Sequence, residues 1–290
     1  MRTLPVALLF PLTAAVTSAW SPPTYDGFNL VWSDAFSGNE SGQLPSQETW
    51  DIIDKDLGLN NELETYCASP ENVQLSGKGT LQIVPRRNSS VQNGWTSGRI
   101  ESKHAFTPEL GRRTVAEAYI RFGSNPTDTK KGMWPAFWVL GNSSRAGTKW
   151  PGCGELDILE TVNGVLEGHG TAHCNTSPGG ICDETTGLTS QTSVPNQDWQ
   201  LWRMIWDRST DASDWQSENI TWWANHKLFH TITGNQIGDS GVWATLAHAP
   251  LFFILNVAVG GALPGNPNST TADGYGAMME VGYVAQYVSQ

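Results

Sequence analysis

The chain has 290 residues, with 28 acidic and 17 basic side chains, a formal net charge of −11 and 39% hydrophobic residues. That acidity is unbroken by any Lys/Arg cluster, which excludes a nucleic-acid footprint and adhesion to an anionic membrane surface. Charged residues are only 16%, while glycine numbers 30 and tryptophan 14, which argues against disorder and against long solvated helices.

Taken in chain order, the first residues predict a secretory signal over 1–19. Arg2 is the charged start, Leu4 to Leu12 is an apolar run broken by Pro5 and Pro11, and Thr17-Ser18-Ala19 supplies small residues for cleavage. The run is too short for an anchor, which needs about 20 apolar residues. Strand signals then dominate. Gly79 to Val84 alternates apolar and polar and stops at Pro85; Arg113 to Phe122 and Leu201 to Trp206 alternate in the same way. Ile220 to Ala224 and Lys227 to Ile232 flank a hairpin turn at Asn225-His226. Pro250 to Val259 is the apolar run of a strand buried on both faces. No stretch carries a sustained 3.6-residue stripe, and no repeat or linker divides the chain. The pattern predicts an all-β sandwich, with 20–290 forming one domain.

An exported chain with four cysteines predicts two disulfides, with three possible connectivities. Cys174 and Cys182 flank a short step containing Pro178, Gly179 and Gly180 that can fold back on itself, so they are paired, which leaves Cys67 for Cys153. Six N-x-S/T sequons begin at Asn39, Asn88, Asn142, Asn175, Asn219 and Asn268, candidates for glycosylation of an exported protein.

The segment richest in chemistry is Gly154-Glu155-Leu156-Asp157-Ile158-Leu159-Glu160. On a strand, Glu155 and Asp157 share one face, and Leu156 and Ile158 share the other. Glu160 has the wrong parity unless a β-bulge near Ile158 or Leu159 restores it to the acidic face. A solvated polar face is the ordinary explanation for alternating charge, but this chain is charge-poor, and crowding three acids costs stability. Two carboxyl groups about 5 Å apart are what retaining glycoside hydrolysis requires, one as nucleophile and one as acid/base. The middle Asp157 would orient Glu155. Metal binding by the three carboxylates is the alternative chemistry, with no histidine inside the motif.

Most tryptophans are expected in the core. Trp134 and Trp138 share strand parity and are candidate platforms for sugar rings. Arg99 is either a surface arginine or a partner for a cleft acid or sugar hydroxyl. His169 and His173 follow the acids, and the next strand of a meander would bring one of them beside Glu160.

These residues resemble glycoside hydrolase family 16, the laminarinase-like β-glucanases. Asn60-Asn61-Glu62-Leu63-Glu64-Thr65-Tyr66 is similar to the family's N-x-E-L-x-x-Y segment, and Ser97-Gly98-Arg99-Ile100 to its S-G-R-I segment. Gly132 to Trp138 resembles G-x-W-P-A-x-W, Glu155 to Glu160 resembles E-x-D-x-x-E, and Leu255 to Gly261 resembles L-N-x-A-V-G-G. The resemblance implies a β-jelly roll of two curved antiparallel sheets, the concanavalin A-like fold. It implies Glu155 as nucleophile, Asp157 as its assistant and Glu160 as acid/base, acting on β-1,3- or mixed β-1,3/1,4-glucan. Asn60, Glu64, Arg99, Trp134, Trp138, Trp150, His173 and Asn256 are then the expected substrate contacts. A transglycosylase, a β-1,3-galactanase and a non-catalytic glucan-binding protein remain alternatives.

The sequence departs from the family pattern in three places. Leu263 stands where many members carry tryptophan in G-G-x-W-P-G. Gly282 stands where V-D-Y-V supplies an aspartate to a structural calcium, so weak calcium binding or none is expected. Thr161-Val162-Asn163-Gly164 resembles fungal members. The expectation is a secreted monomer, extracellular or in a cell wall, with no cofactor, no metal, and no membrane or nucleic-acid partner.

Overall fold

A computed structural model describes residues 20–38, 40–211 and 213–290. The leader over 1–19 and the sequon asparagine Asn39 lie outside the described residues. In chain order the strands are β1 (Phe28–Asp34), β2 (Ser41–Gln43), β3 (Trp50–Ile52), β4 (Glu64–Tyr66), β5 (Val73–Ser76), β6 (Leu81–Ile83), β7 (Arg86–Arg87), β8 (Trp95–Ser97), β9 (Arg99–Phe106) and β10 (Arg113–Phe122). They continue as β11 (Met133–Gly141), β12 (Glu155–Glu160), β13 (Glu167–His173), β14 (Leu188–Ser193), β15 (Gln200–Asp207), β16 (Asn219–Ala224) and β17 (Lys227–Thr233). After helices α1 (Gly234–Ile237) and α2 (Ser240–Ala247) come β18 (Leu251–Val259) and β19 (Met279–Ser289).

Two large antiparallel sheets face each other. One runs β17-β16-β15-β10-β19-β6-β5-β2, with β1 also on β19; the other runs β14-β13-β12-β11-β18-β9-β3. Alternation along each strand fills the space between them. Ala116, Ala118 and Ile120 of β10 share one core cluster with Trp202, Met204, Trp206 and Trp222 of the same sheet and with Phe137, Val139, Leu156, Ile158, Leu255 and Val257 of the other. Trp50, Trp202, Trp206, Trp222 and Trp243 are fully buried, so core packing accounts for much of the tryptophan excess. The outward face of the first sheet is also covered. Val115, Leu201, Tyr283 and Tyr287 pack under Trp20, Tyr25 and Phe28. Gly282 belongs to this layer: a Cβ there would lie 3.2 Å from the Trp20 side chain.

The strand expected over Arg113–Phe122 is present, that expected over Pro250–Val259 begins at Leu251, and β16 and β17 join through Asn225 and His226, both in the left-handed region that a tight hairpin demands. Two features differ from the expectation. A small third sheet, β4-β8-β7, contains a parallel pair, Glu64 to Tyr66 beside Trp95 to Ser97. The chain between them holds β5 to β7, long enough for the crossover that a parallel pair needs. Helix α2 was not foreseen. At eight residues it shows little more than two turns of pattern, yet its signals exist: Asp239 caps it through the Gly241 and Val242 N–H groups, and Trp243, Leu246 and Ala247 form its buried stripe.

The cysteines divide. Cys174 and Cys182 form a disulfide, as expected. Cys67 and Cys153 do not pair; both are free thiols. Cys67 follows β4, with its N–H on Ser97 O and its thiol on Thr65 O, while Cys153 is buried in the turn that leads into β12. The error came from elimination, since pairing two cysteines leaves two over but says nothing about their distance. Asn268 is exposed, whereas Asn88, Asn142, Asn175 and Asn219 are half-buried. Among the described residues no helix is long and apolar enough to cross a membrane.

Candidate active site

Strand β12 carries the three acids. Against β11 its register runs Leu140–Glu155, Val139–Leu156 and Trp138–Asp157, then shifts so that Phe137 meets Leu159 and Ala136 meets Glu160. Ile158 is therefore the extra residue of a β-bulge. The same slip appears against β13, where Asp157 meets Thr171 and Glu160 meets His169. Leu156, Ile158 and Leu159 enter the core, and Glu155, Asp157 and Glu160 share the other face. A bulge strands backbone groups, and here the core supplies a partner: Trp222 Nε1, from the opposite sheet, donates to Asp157 O at 2.7 Å.

Neighbouring strands furnish the surroundings. Trp134 Nε1 donates to Glu160 Oε1 at 2.8 Å, so this tryptophan holds an acid as well as offering a ring. Trp138 Nε1 donates to Asn256 Oδ1 at 2.8 Å, and Asn256 Nδ2 donates to Tyr66 Oη at 3.1 Å. Arg99 is buried, bonded to Glu101 at 2.7 and 2.9 Å, and its guanidinium lies 4.8 Å from the Trp138 ring centre. Of the two earlier readings of Arg99, burial removes the surface one. Trp150 is 41% exposed and its ring sits 5.5 Å from that of His173. His173 lies opposite Glu155 and His169 opposite Glu160, so the meander brings one histidine to each end of the acidic row. His173 Nε2 is 3.5 Å from Asp157 Oδ2, and its Nδ1 is 2.7 Å from Glu184 Oε2.

Asn60 and Glu64 differ from each other. Asn60 is exposed, and its amide donates to Glu62 Oε1 at 3.0 Å. Glu64 is 2% exposed and accepts the Val259 N–H at 2.7 Å. It braces the end of β18 from below, so we withdraw it as a substrate contact. Parity explains the error: within Glu62-Leu63-Glu64, the short strand β4 begins at Glu64 and directs it inward. Burial and then the neighbouring Glu62 push the Glu64 carboxyl up to about 9. Glu184 and Trp222 were missed by sequence reading. The first lies beyond the motif on a loop, and the second belongs to the opposite sheet.

The acids titrate as a group. Burial pushes Glu155 up to about 7, with His173 pulling it down and Glu160 pushing it up. Asp157 is held well above the usual carboxylate range by burial, then by Glu160, Glu155 and Glu184. Glu160 is raised by burial, against the Trp134 N–H and the two histidines. Burial, rather than the charge of Glu155, is thus the main cause at Glu160. Glu155, Asp157 and His173 could each offer one ligand atom, all within 4.8 Å of one another. As they stand they form an acid–imidazole cluster, and no side chain is assigned to a metal.

Residues 66–224 match the model of the XgeA-like, catalytic GH16 domain. The chain belongs to glycoside hydrolase family 16. This family 16 chain is similar to the endo-1,3-β-glucanase of Streptomyces sioyaensis, whose crystal structure shares 35% sequence identity, a TM-score of 0.85, and coverage of 93% of this chain and 99% of that one. It is 29% identical to the β-glucanase of Rhodothermus marinus, over 90% of this chain and 85% of that protein. It is 27% identical to glucan endo-1,3-β-glucosidase A1 of Niallia circulans, over 92% of this chain, but spans only 39% of that protein's length.

Proposed function

We propose that the chain is a retaining endo-β-1,3-glucanase. The observation that carries the reading is the bulge at Ile158, which gathers Glu155, Asp157 and Glu160 on one face of β12 among Trp134, Trp138 and His173. Glu155 attacks the anomeric carbon while Glu160 protonates the leaving oxygen. Once Glu155 is esterified, Glu160 is a carboxylate, having given its proton to the leaving oxygen, and it takes the proton of the incoming water. Asp157, next to Glu155 on the same face, orients its attacking oxygen. Exposed Trp150 and half-buried Trp134 and Trp138 offer apolar faces to sugar rings. The family match and the endo-1,3-β-glucanase relatives support β-1,3-glucan as the polymer.

The same proposal extends to the cell. Residues 20–290 act as one catalytic unit, exported after removal of 1–19, glycosylated, and working as a monomer outside the cell or in a wall. The apolar leader, the Cys174–Cys182 disulfide and the sequons support this. A panel of laminarin, lichenan, β-1,3-galactan and xyloglucan tests the function. New reducing ends with internal cleavage of laminarin are expected. Release from β-1,3-galactan alone, products longer than the starting oligosaccharide, or binding without cleavage would each replace the reading with one of its alternatives.

A further inference from the structure

Glu184 is a buried carboxylate that the mechanism does not use. It lies on the loop between β13 and β14, and its side chain is wholly screened from solvent. Its Oε1 accepts the Cys174 N–H at 2.8 Å, and its Oε2 meets His173 Nδ1 at 2.7 Å. The loop that presents it is closed twice, by the Cys174–Cys182 disulfide and by backbone bonds of 2.6 Å in both directions between Gly179 and Glu184. Gly187, in the left-handed region at φ 76°, leaves room for the imidazole; a Cβ there would come within 2.7 Å of His173 Cε1. The other ring nitrogen faces Asp157 Oδ2.

A carboxylate with no access to water needs a cation or a dense set of donors. Among the described residues, the cation-forming side chain in contact with Glu184 is His173. The groups facing that imidazole are Glu184 from the loop, Glu155, Asp157 and Glu160 from β12, and the Trp150 ring from the turn before it. Four acids surround one base. We propose that Glu184 is a positioning residue: it fixes His173 as an imidazolium beside the acidic row, with Nε2 3.5 Å from Asp157 Oδ2, and the disulfide loop holds Glu184 in place to do so. Burial alone would lower the His173 pKa, but the Glu184 hydrogen bond, Glu155 and Glu160 raise it overall. The positive ring then lets the acidic row carry one more negative charge at a given pH, and Glu155 is ionised when the sugar arrives. The last step rests on the reading of Glu155 as nucleophile.

Glu184→Gln keeps the shape and the acceptor for Cys174 but removes the charge. Its kcat/KM profile on laminarin should show the acid limb moved up by about one pH unit, as expected for loss of a charge effect at this range. Glu184→Asp should restore part of the shift. A fall in kcat with an unmoved acid limb would reduce Glu184 to a merely structural role and overturn the proposal. Proton NMR of the wild-type imidazoles, with His173 assigned by its absence in His173→Gln, needs neither activity nor a folded Glu184 variant. His173 should remain protonated above its ordinary 6.5; titration at or below that value would also overturn the proposal. Absence of laminarin cleavage by wild type would sink the glucanase reading and leave the NMR test of the Glu184–His173 pair standing.

Discussion

The bond from Trp222 to the bulge makes a core residue of one sheet shape the acids of the other. Trp222→Phe removes the Nε1 that donates to Asp157 O at 2.7 Å and leaves that carbonyl buried. An orphaned buried acceptor costs about 1–3 kcal/mol. The same substitution also removes ring volume, so a matched control is needed, and the fold provides one. Trp202 is equally buried, on the adjacent strand, but its Nε1 has no hydrogen-bond partner. Trp202→Phe therefore loses similar packing and relieves an unsatisfied donor. The difference between the two variants isolates the bond to the bulge. Differential scanning calorimetry should place Trp222→Phe below Trp202→Phe by about 2–12 °C, from roughly 2–4 °C per kcal/mol for a chain near this size. Initial rates on laminarin should show a kcat loss specific to Trp222→Phe, since the freed carbonyl disturbs the spacing of Glu155 and Glu160. Equal melting temperatures and equal kcat for the two variants would refute the idea that the core sets the bulge.

Three further outcomes follow from single residues. Glu64, pushed up to about 9, binds its proton more tightly folded than unfolded, so its contribution to stability falls as pH rises from the usual carboxylate range toward 9. Glu64→Gln should match wild type near pH 5 and melt several degrees higher near pH 8; no gain at the higher pH would show that Glu64 is ionised in place. Leu263 is 53% exposed on the turn whose Pro264 carbonyl is held by Lys131 and Asn163. Leu263→Trp should lower KM for laminarin two- to tenfold, for about 0.5–1.5 kcal/mol of added ring contact, and an unchanged KM would place the turn outside the substrate path. Thiol titration of the unreduced, unfolded protein should count two groups, with Cys153 reacting only on unfolding; a count of zero would restore the Cys67–Cys153 bridge.

Much of the site was legible because β-strands have a simple period. Parity alone assigned Glu155 and Asp157 to one face, and the wrong parity of Glu160 called for the bulge that the register shows. The alternation of Arg113–Phe122 and the unbroken apolar run of β18 likewise announced strands with one or both faces covered. What escaped was non-local. No pattern in the sequence links Trp222 to Asp157, 65 positions apart, or Glu184 to a histidine on the preceding strand. Glu64 escaped for a local reason: a three-residue strand is too short to reveal which of its sides faces in. Cys67 and Cys153 escaped because connectivity is decided by distance, and counting supplies none.

The central claim is double displacement by Glu155 and Glu160 on a β-1,3-glucan. Proton NMR of the reducing ends released from laminarin, recorded before mutarotation, tests it most directly. The account predicts that the β-anomer appears first and the α-anomer grows in later. An α-anomer first would mean a single displacement, and the assignment of Glu155 as nucleophile would be wrong.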